Sequence, residues 1–99
     1  MTTTPSEDFV IRHNVPFSRF ETELDGKLAV ADYRLDGKIM VFTHTFVPPE
    51  MRGRGVAEKL VRAALEWARA QGRHVVPQCS YVAVFVERHA EYQDLVKRP

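Results

Sequence analysis

Arg52-Gly53-Arg54-Gly55-Val56-Ala57 is the stretch with the clearest chemical potential. An apolar run, Ile39 to Val47, feeds into it, and an amphipathic run of helical period leaves it and ends near Gln71. At such a strand-to-helix turn the first helical N–H groups have no internal acceptor, and the helix dipole adds partial positive charge. Gly53 and Gly55 let the main chain approach a bulky anion where a Cβ would collide, and Ala57 is small enough for close helix packing. Arg52 and Arg54 carry charge suited to phosphate. The turn is therefore expected to bind the phosphates of a cofactor; a plain glycine turn with solvated arginines is the alternative. Two more side chains could do chemistry. Cys79 follows a strand-like run and precedes a possible helix start, a setting that lowers a thiol pKa; otherwise it packs as a small hydrophobe. His44 is the one titratable group inside its apolar run, on a face with Phe42 and Phe46. It is a general base, direct or through water, or a core histidine bonded to backbone. Glu50, just past that run, is a lesser candidate base. His13, His74 and His89 show no ligand spacing with Cys79 or with one another, so no metal is expected.

These residues need a frame to hold them. Phe9 to Asn14 alternates briefly, with Phe9, Ile11 and His13 on one face. Arg19 to Leu24 alternates more clearly and reads as a half-buried strand near a sheet edge. Asp25-Gly26 and Asp36-Gly37 then punctuate the chain. Asp-Gly between alternating runs is a strong hairpin signal, because both central residues of a type I′ turn need positive φ. Arg19–Leu24, Lys27–Leu35 and Lys38–Val47 should form an antiparallel meander. The third of these is apolar on both faces, with Met40, Phe42 and Phe46 on one and Ile39, Val41 and Val47 on the other. It should be central and covered on both sides. Pro48-Pro49 ends it. From Gly55 the period becomes 3.6, with Leu60, Val61, Ala64, Leu65 and Ala68 as the apolar stripe. Gly72 is a C-terminal stop. Lys59, Arg62, Arg69 and Arg73 read as a solvated face, and Trp67 as core or rim packing. Arg73 to Val76 reads as a further strand, so strand, helix, strand implies a parallel crossover. Tyr81 to Val86 is ambiguous: its β-branched and aromatic content favours strand, while Ser80 is a good N-cap for a helix. Glu87 to Lys97 is polar, with Tyr92 and Leu95 as anchors.

Ninety-nine residues suit one domain with one core. With 44% hydrophobic and 27% charged residues, the chain reads as globular and not disordered. A net charge of +1 demands neither nucleic acid nor an anionic membrane. The single cysteine permits no internal disulfide, and together with the lack of a signal-like start it points to the cytoplasm. No apolar run would span a bilayer. Residues 1–8 read as a flexible tail and 9–99 as the domain.

The turn can be set against three phosphate motifs. It lacks the Gly-Lys-Ser/Thr ending of a P-loop. Glu58 stands where a dinucleotide fingerprint has its third glycine, and the preceding strand closes a meander. It fits Q/R-x-x-G-x-G/A, with Arg52 first, Gly55 fourth and Ala57 sixth. That pattern resembles the pyrophosphate loop of the GNAT superfamily of N-acetyltransferases. His44-Thr45-Phe46-Val47-Pro48, Pro77-Gln78-Cys79-Ser80-Tyr81-Val82 and Glu91-Tyr92-Gln93-Asp94-Leu95-Val96 resemble a minimal single-domain subgroup with a P-x-C-S-Y motif. The resemblance runs from about Phe9 to the C-terminus.

The resemblance implies an α/β GNAT fold: a mixed, mostly antiparallel sheet with two splayed parallel strands and flanking helices. It implies acetyl-CoA as cofactor, with the pantetheine arm wedged between those strands. Val47 would present backbone groups to the pantetheine and acetyl carbonyl, and Arg52, Gly53, Arg54, Gly55, Val56 and Ala57 would surround the pyrophosphate. It also implies a helix at Ser80–Val86, against propensity. Cys79 would lie near the thioester, either accepting the acetyl group or protonating the departing thiolate; many relatives use a tyrosine as that acid, which makes Tyr81 the competitor. Many such enzymes place a glutamate within the central strand, and its absence here leaves deprotonation unassigned. The acceptor would be a primary amine of a small molecule or protein, entering from the opposite side of the sheet. Nearly all the N-terminal helices that usually wall the acceptor site are expected to be absent, because strands begin soon after the tail. A monomer or weak dimer is expected. The rivals are a non-catalytic CoA-binding domain and a nucleic-acid binder using Arg52 and Arg54, whose binding would fall steeply with salt.

Overall fold

The computed structural model describes residues 9–97; the expected tail, residues 1–8, lies outside them. Five strands form one sheet in sequence order: β1 (Arg12–Asn14), β2 (Arg19–Leu24), β3 (Lys27–Asp36), β4 (Ile39–Phe46) and β5 (His74–Pro77). The first three pairings are antiparallel, and β4 with β5 is parallel. Helix α1 (Val56–Ala70) makes the crossover between β4 and β5, and α2 (Ser80–Arg88) follows β5. The sheet is thus mixed and mostly antiparallel, as its residues imply.

Turn chemistry sets the meander. Asp25 and Gly26 both take positive φ, 52° and 77°, as a type I′ turn requires. The second turn is displaced by one residue. Asp36 pairs with Ile39, so Gly37 and Lys38 form the loop, and only Gly37 has positive φ, at 60°. One positive φ at the first central position is the type II′ pattern.

The strand β4 departs from a simple alternation. Tyr33 pairs with Phe42, yet Asp32 pairs with His44, so Thr43 is the extra residue of a β-bulge. Before the bulge, Met40 and Phe42 are fully buried; after it, His44 and Phe46 are exposed. The expectation that Phe42, His44 and Phe46 share a face is therefore wrong. The inserted residue turns His44 and Phe46 to the face opposite Phe42, beside Asp32 and Val30. The expectation of cover on both sides holds only for Met40 to Phe42.

The apolar stripe of α1 – Leu60, Val61, Ala64, Leu65 and Ala68 – is wholly buried against Ala29, Ala31, Tyr33, Met40, Phe42 and Val75. Val82, Phe85 and Val86 of α2, with Tyr92 and Leu95, join the same core. The helices α1 and α2 touch each other: the Arg62 guanidinium lies over the Phe85 and Tyr92 rings. Both helices therefore pack on one face of the sheet, and neither α1 nor α2 covers the other face. The arginines expected on a solvated face are engaged. Arg69 bonds Asp94, and Arg73 bonds the Gly37 carbonyl and lies over Trp67. Gly72, at φ 68°, ends α1 with the paired bonds of a Schellman motif, Arg73 N–H to Ala68 and Gly72 N–H to Arg69.

Candidate functional site

The turn before α1 is built from two glycines in left-handed conformation. Arg52 (φ −71°, ψ 154°) and Gly53 (φ 80°) have the dihedrals of the central pair of a type II turn, and Gly55 (φ 75°) is the N-cap of α1. A Cβ at either glycine would meet nothing within 4 Å. Within the protein alone, backbone conformation and not crowding is what requires glycine here. The N-cap glycine offers no side-chain acceptor. Among the described residues, the N–H groups of Gly53, Gly55, Val56, Ala57 and Glu58 have no hydrogen-bond acceptor. Clustered uncapped donors at the positive end of a fifteen-residue helix fit an anion such as a diphosphate.

These groups border a cavity of about 250 Å3, lined by Val47, Met51, Arg52, Gly53, Gly55, Val56, Ala57, Glu58 and Tyr81. Arg54 lies on an adjoining surface with Lys59 and Arg62. Arg52 donates from Nε to the Val47 carbonyl at 3.0 Å, which ties the end of β4 to the turn. Sequence reasoning missed Met51 and Glu58. Met51 is buried beneath the turn. Glu58 is an acid in the first helical turn, where the dipole favours it, and Arg62 one turn on holds it at 3.1 Å.

The parallel pairing stops early. It runs from Ile39–His74 to Phe42–Pro77, while β4 continues to Phe46. Cys79 N–H still reaches the Phe42 carbonyl at 2.9 Å, and then the chain turns into α2. The edge of β4 from Thr43 to Phe46 faces a gap where the two strands part.

Cys79, not Ser80, is the N-cap of α2. The helix forms against strand propensity because Val82, Phe85 and Val86, at i, i+3 and i+4, all reach the core. The half-buried Cys79 Sγ donates to Thr45 Oγ1 at 3.5 Å. Burial alone raises its pKa, but the Thr45 hydroxyl and the backbone N–H groups of Val82, Tyr81 and Thr45 together hold it below the ordinary thiol value. Tyr81 behaves oppositely. Burial, then the Glu58 charge, raises its pKa, so its phenol keeps the proton at neutral pH.

The structure thus gathers Tyr81, Val47, Arg52, Gly53, Gly55, Val56 and Ala57 around one cavity. It sets Cys79 beside the gap on the helix-covered face, where Thr45 lies opposite the buried Ala31. His44 stands on the open face, away from both.

Three comparisons bear on this arrangement. The family model described as GCN5-related N-acetyl-transferase matches residues 19–95. The chain is 31% identical over 88 residues to Protein NATD1 of Xenopus tropicalis, covering 86% of this chain and 81% of that one. It is 33% identical over 82 residues to Protein NATD1 of Bos taurus, covering 80% and 73%. A GCN5-like protein from Staphylococcus aureus, solved by NMR, superposes with a TM-score of 0.73 at 29% identity, covering 91% of this chain and 89% of that one.

Proposed function

Because the chain belongs to the GCN5-related N-acetyltransferase family, we propose that it binds acetyl-CoA at the Gly53–Ala57 turn and transfers the acetyl group to a primary amine of a small molecule or protein. The observation that carries this reading is the set of N–H groups at Gly53, Gly55, Val56 and Ala57 that have no acceptor among the described residues. Bound acetyl-CoA supplies an acyl group activated as a thioester.

The protein's own residues then have distinct tasks. The turn holds the pyrophosphate through its N–H groups, with Arg54 adding charge. Arg52 fixes Val47 beside the turn, and Val47 offers its N–H toward the acyl carbonyl. Tyr81 gives its proton to the departing thiolate. His44, on the open face, takes the proton that the amine must lose before it attacks. A second reading is favoured by the lowered pKa of Cys79 and its contact with Thr45. In it the Cys79 thiolate attacks the acyl carbon, the thioester C–S bond breaks as the new one forms, and the amine then takes the acetyl group from Cys79.

Titration calorimetry with CoA tests the first step. Saturable binding at one site is expected, and no binding sinks the proposal. Turnover on a panel of lysine peptides and small amines tests the second; binding without turnover leaves a non-catalytic CoA module. Intact mass after incubation with acetyl-CoA separates the routes. An adduct of one acetyl group, lost in Cys79→Ser, supports the relay. Turnover without adduct supports direct transfer.

A further inference from the structure

The β-bulge at Thr43 places His44 in a row that crosses the sheet. Arg19 on β2 pairs with Asp32 on β3, and Asp32 pairs with His44 on β4. Beyond His44 there is no strand, because β5 has stopped pairing at Phe42. Directly opposed residues of an antiparallel pair share a face, about 4.5–5.5 Å apart at Cα. Tyr33, the neighbour of Asp32, points into the core, so Asp32 and His44 both stand on the face that neither α1 nor α2 covers. Arg19 is held by Glu21 at 2.7 Å. That leaves the half-buried Asp32 carboxylate without an ion-pair partner among the described residues.

We infer that Asp32 is a positioning residue for His44: it lies on the side of the imidazole away from the gap and holds the ring so that its other nitrogen faces the incoming amine. A carboxylate behind an imidazole fixes the tautomer and stabilises the imidazolium formed on proton uptake. The two side chains do not bond directly in this structure; such contacts tighten when a substrate is bound. The inference rests on the acetyltransferase reading and on His44 as its base. The other charged groups near His44 are few. On β3, Arg34 shares the open face, two residues from Asp32; on β2, Arg19 is tied to Glu21. After β4, Glu50 is paired with Lys27. Cys79, across the gap, faces Thr45 on the other side of the sheet.

The experiment is an NMR measurement of the His44 imidazole nitrogens in the full chain, whose shifts report which nitrogen carries the proton, with His44→Gln used to assign the signals among the four histidines. Asp32→Asn should redistribute the His44 tautomers, and Asp32→Glu should restore them. Turnover on a lysine peptide should fall about tenfold in kcat for Asp32→Asn, with CoA affinity unchanged. Unchanged His44 tautomers in a folded Asp32→Asn protein overturn the positioning role, whether or not acetyl is transferred. Full turnover in His44→Gln instead removes the base, and with it the catalytic sense of the pair.

Discussion

Tyr81 and Cys79 are two residues apart, yet their surroundings push their protons in opposite directions. Burial and Glu58 keep Tyr81 protonated, while Thr45 and nearby N–H groups favour the Cys79 thiolate despite its burial. An acid must hold a proton and a nucleophile must shed one, so the two suit different tasks. Tyr81→Phe should lower kcat by roughly 10²–10³, within the range for a general acid, with CoA affinity unchanged; steady-state kinetics and calorimetry on one preparation check this. Cys79 should react with iodoacetamide with a midpoint below that of a free thiol, and Thr45→Val should raise that midpoint by removing the hydroxyl. A pH series of alkylation rates reads both. The residue types that could do this chemistry were legible in the sequence; the face of the sheet on which each stands was not. A period of two carries Phe42, His44 and Phe46 along one face, and the bulge at Thr43 breaks that count with no glycine or proline to announce it.

At the scale of elements, what local chemistry could specify was readable, and what long-range packing decides was not. The apolar stripe of α1, its Gly72 stop and the Asp25-Gly26 hairpin follow from periodicity and positive φ. By contrast, the residues of α2 carry strand propensity, and burial of Val82, Phe85 and Val86 overrides it. The two ends of α1 offer a matched test of the site. Gly55 and Gly72 both have positive φ, and a Cβ at either meets open space. Alanine at either position should therefore cost about 1 kcal/mol through backbone strain alone. Urea unfolding should show similar losses for Gly55→Ala and Gly72→Ala. Only Gly55→Ala should also weaken CoA, by about tenfold, because it distorts the turn whose N–H groups are proposed to hold the pyrophosphate. Equal CoA affinity in the two variants would mean that the turn merely starts a helix.

Across the whole molecule, two partly buried polar clusters tie the sheet together, and both make stability depend on pH with the same sign. On the helix-covered face, His13 stacks on Phe20 at 4.0 Å, meets Trp67 edge-on and shares a 2.6 Å hydrogen bond with Tyr33. Burial lowers its pKa below the ordinary 6.5. On the open face, Glu21 is buried among Arg12, Arg19 and Asn14. Burial raises its pKa, but hydrogen bonds from Arg19, Asn14 and Arg12 and the Arg19 charge leave it below the ordinary 4.5. In both cases the unfolded chain binds a proton at a higher pH than the folded one, so stability falls as pH falls. The His13 contribution is complete above about pH 6.5 and is lost as pH drops through the folded value. The Glu21 contribution survives that window and is lost only below about pH 4.5, through its own folded value. Urea midpoints measured from pH 8 downward should therefore decline in two stages. His13→Gln should remove the first and leave the second, because Arg12, Arg19 and Asn14 stand on the opposite side of the sheet from the imidazole. A single decline, unaltered by His13→Gln, would show that the aromatic cluster accepts the imidazolium at no cost to the fold.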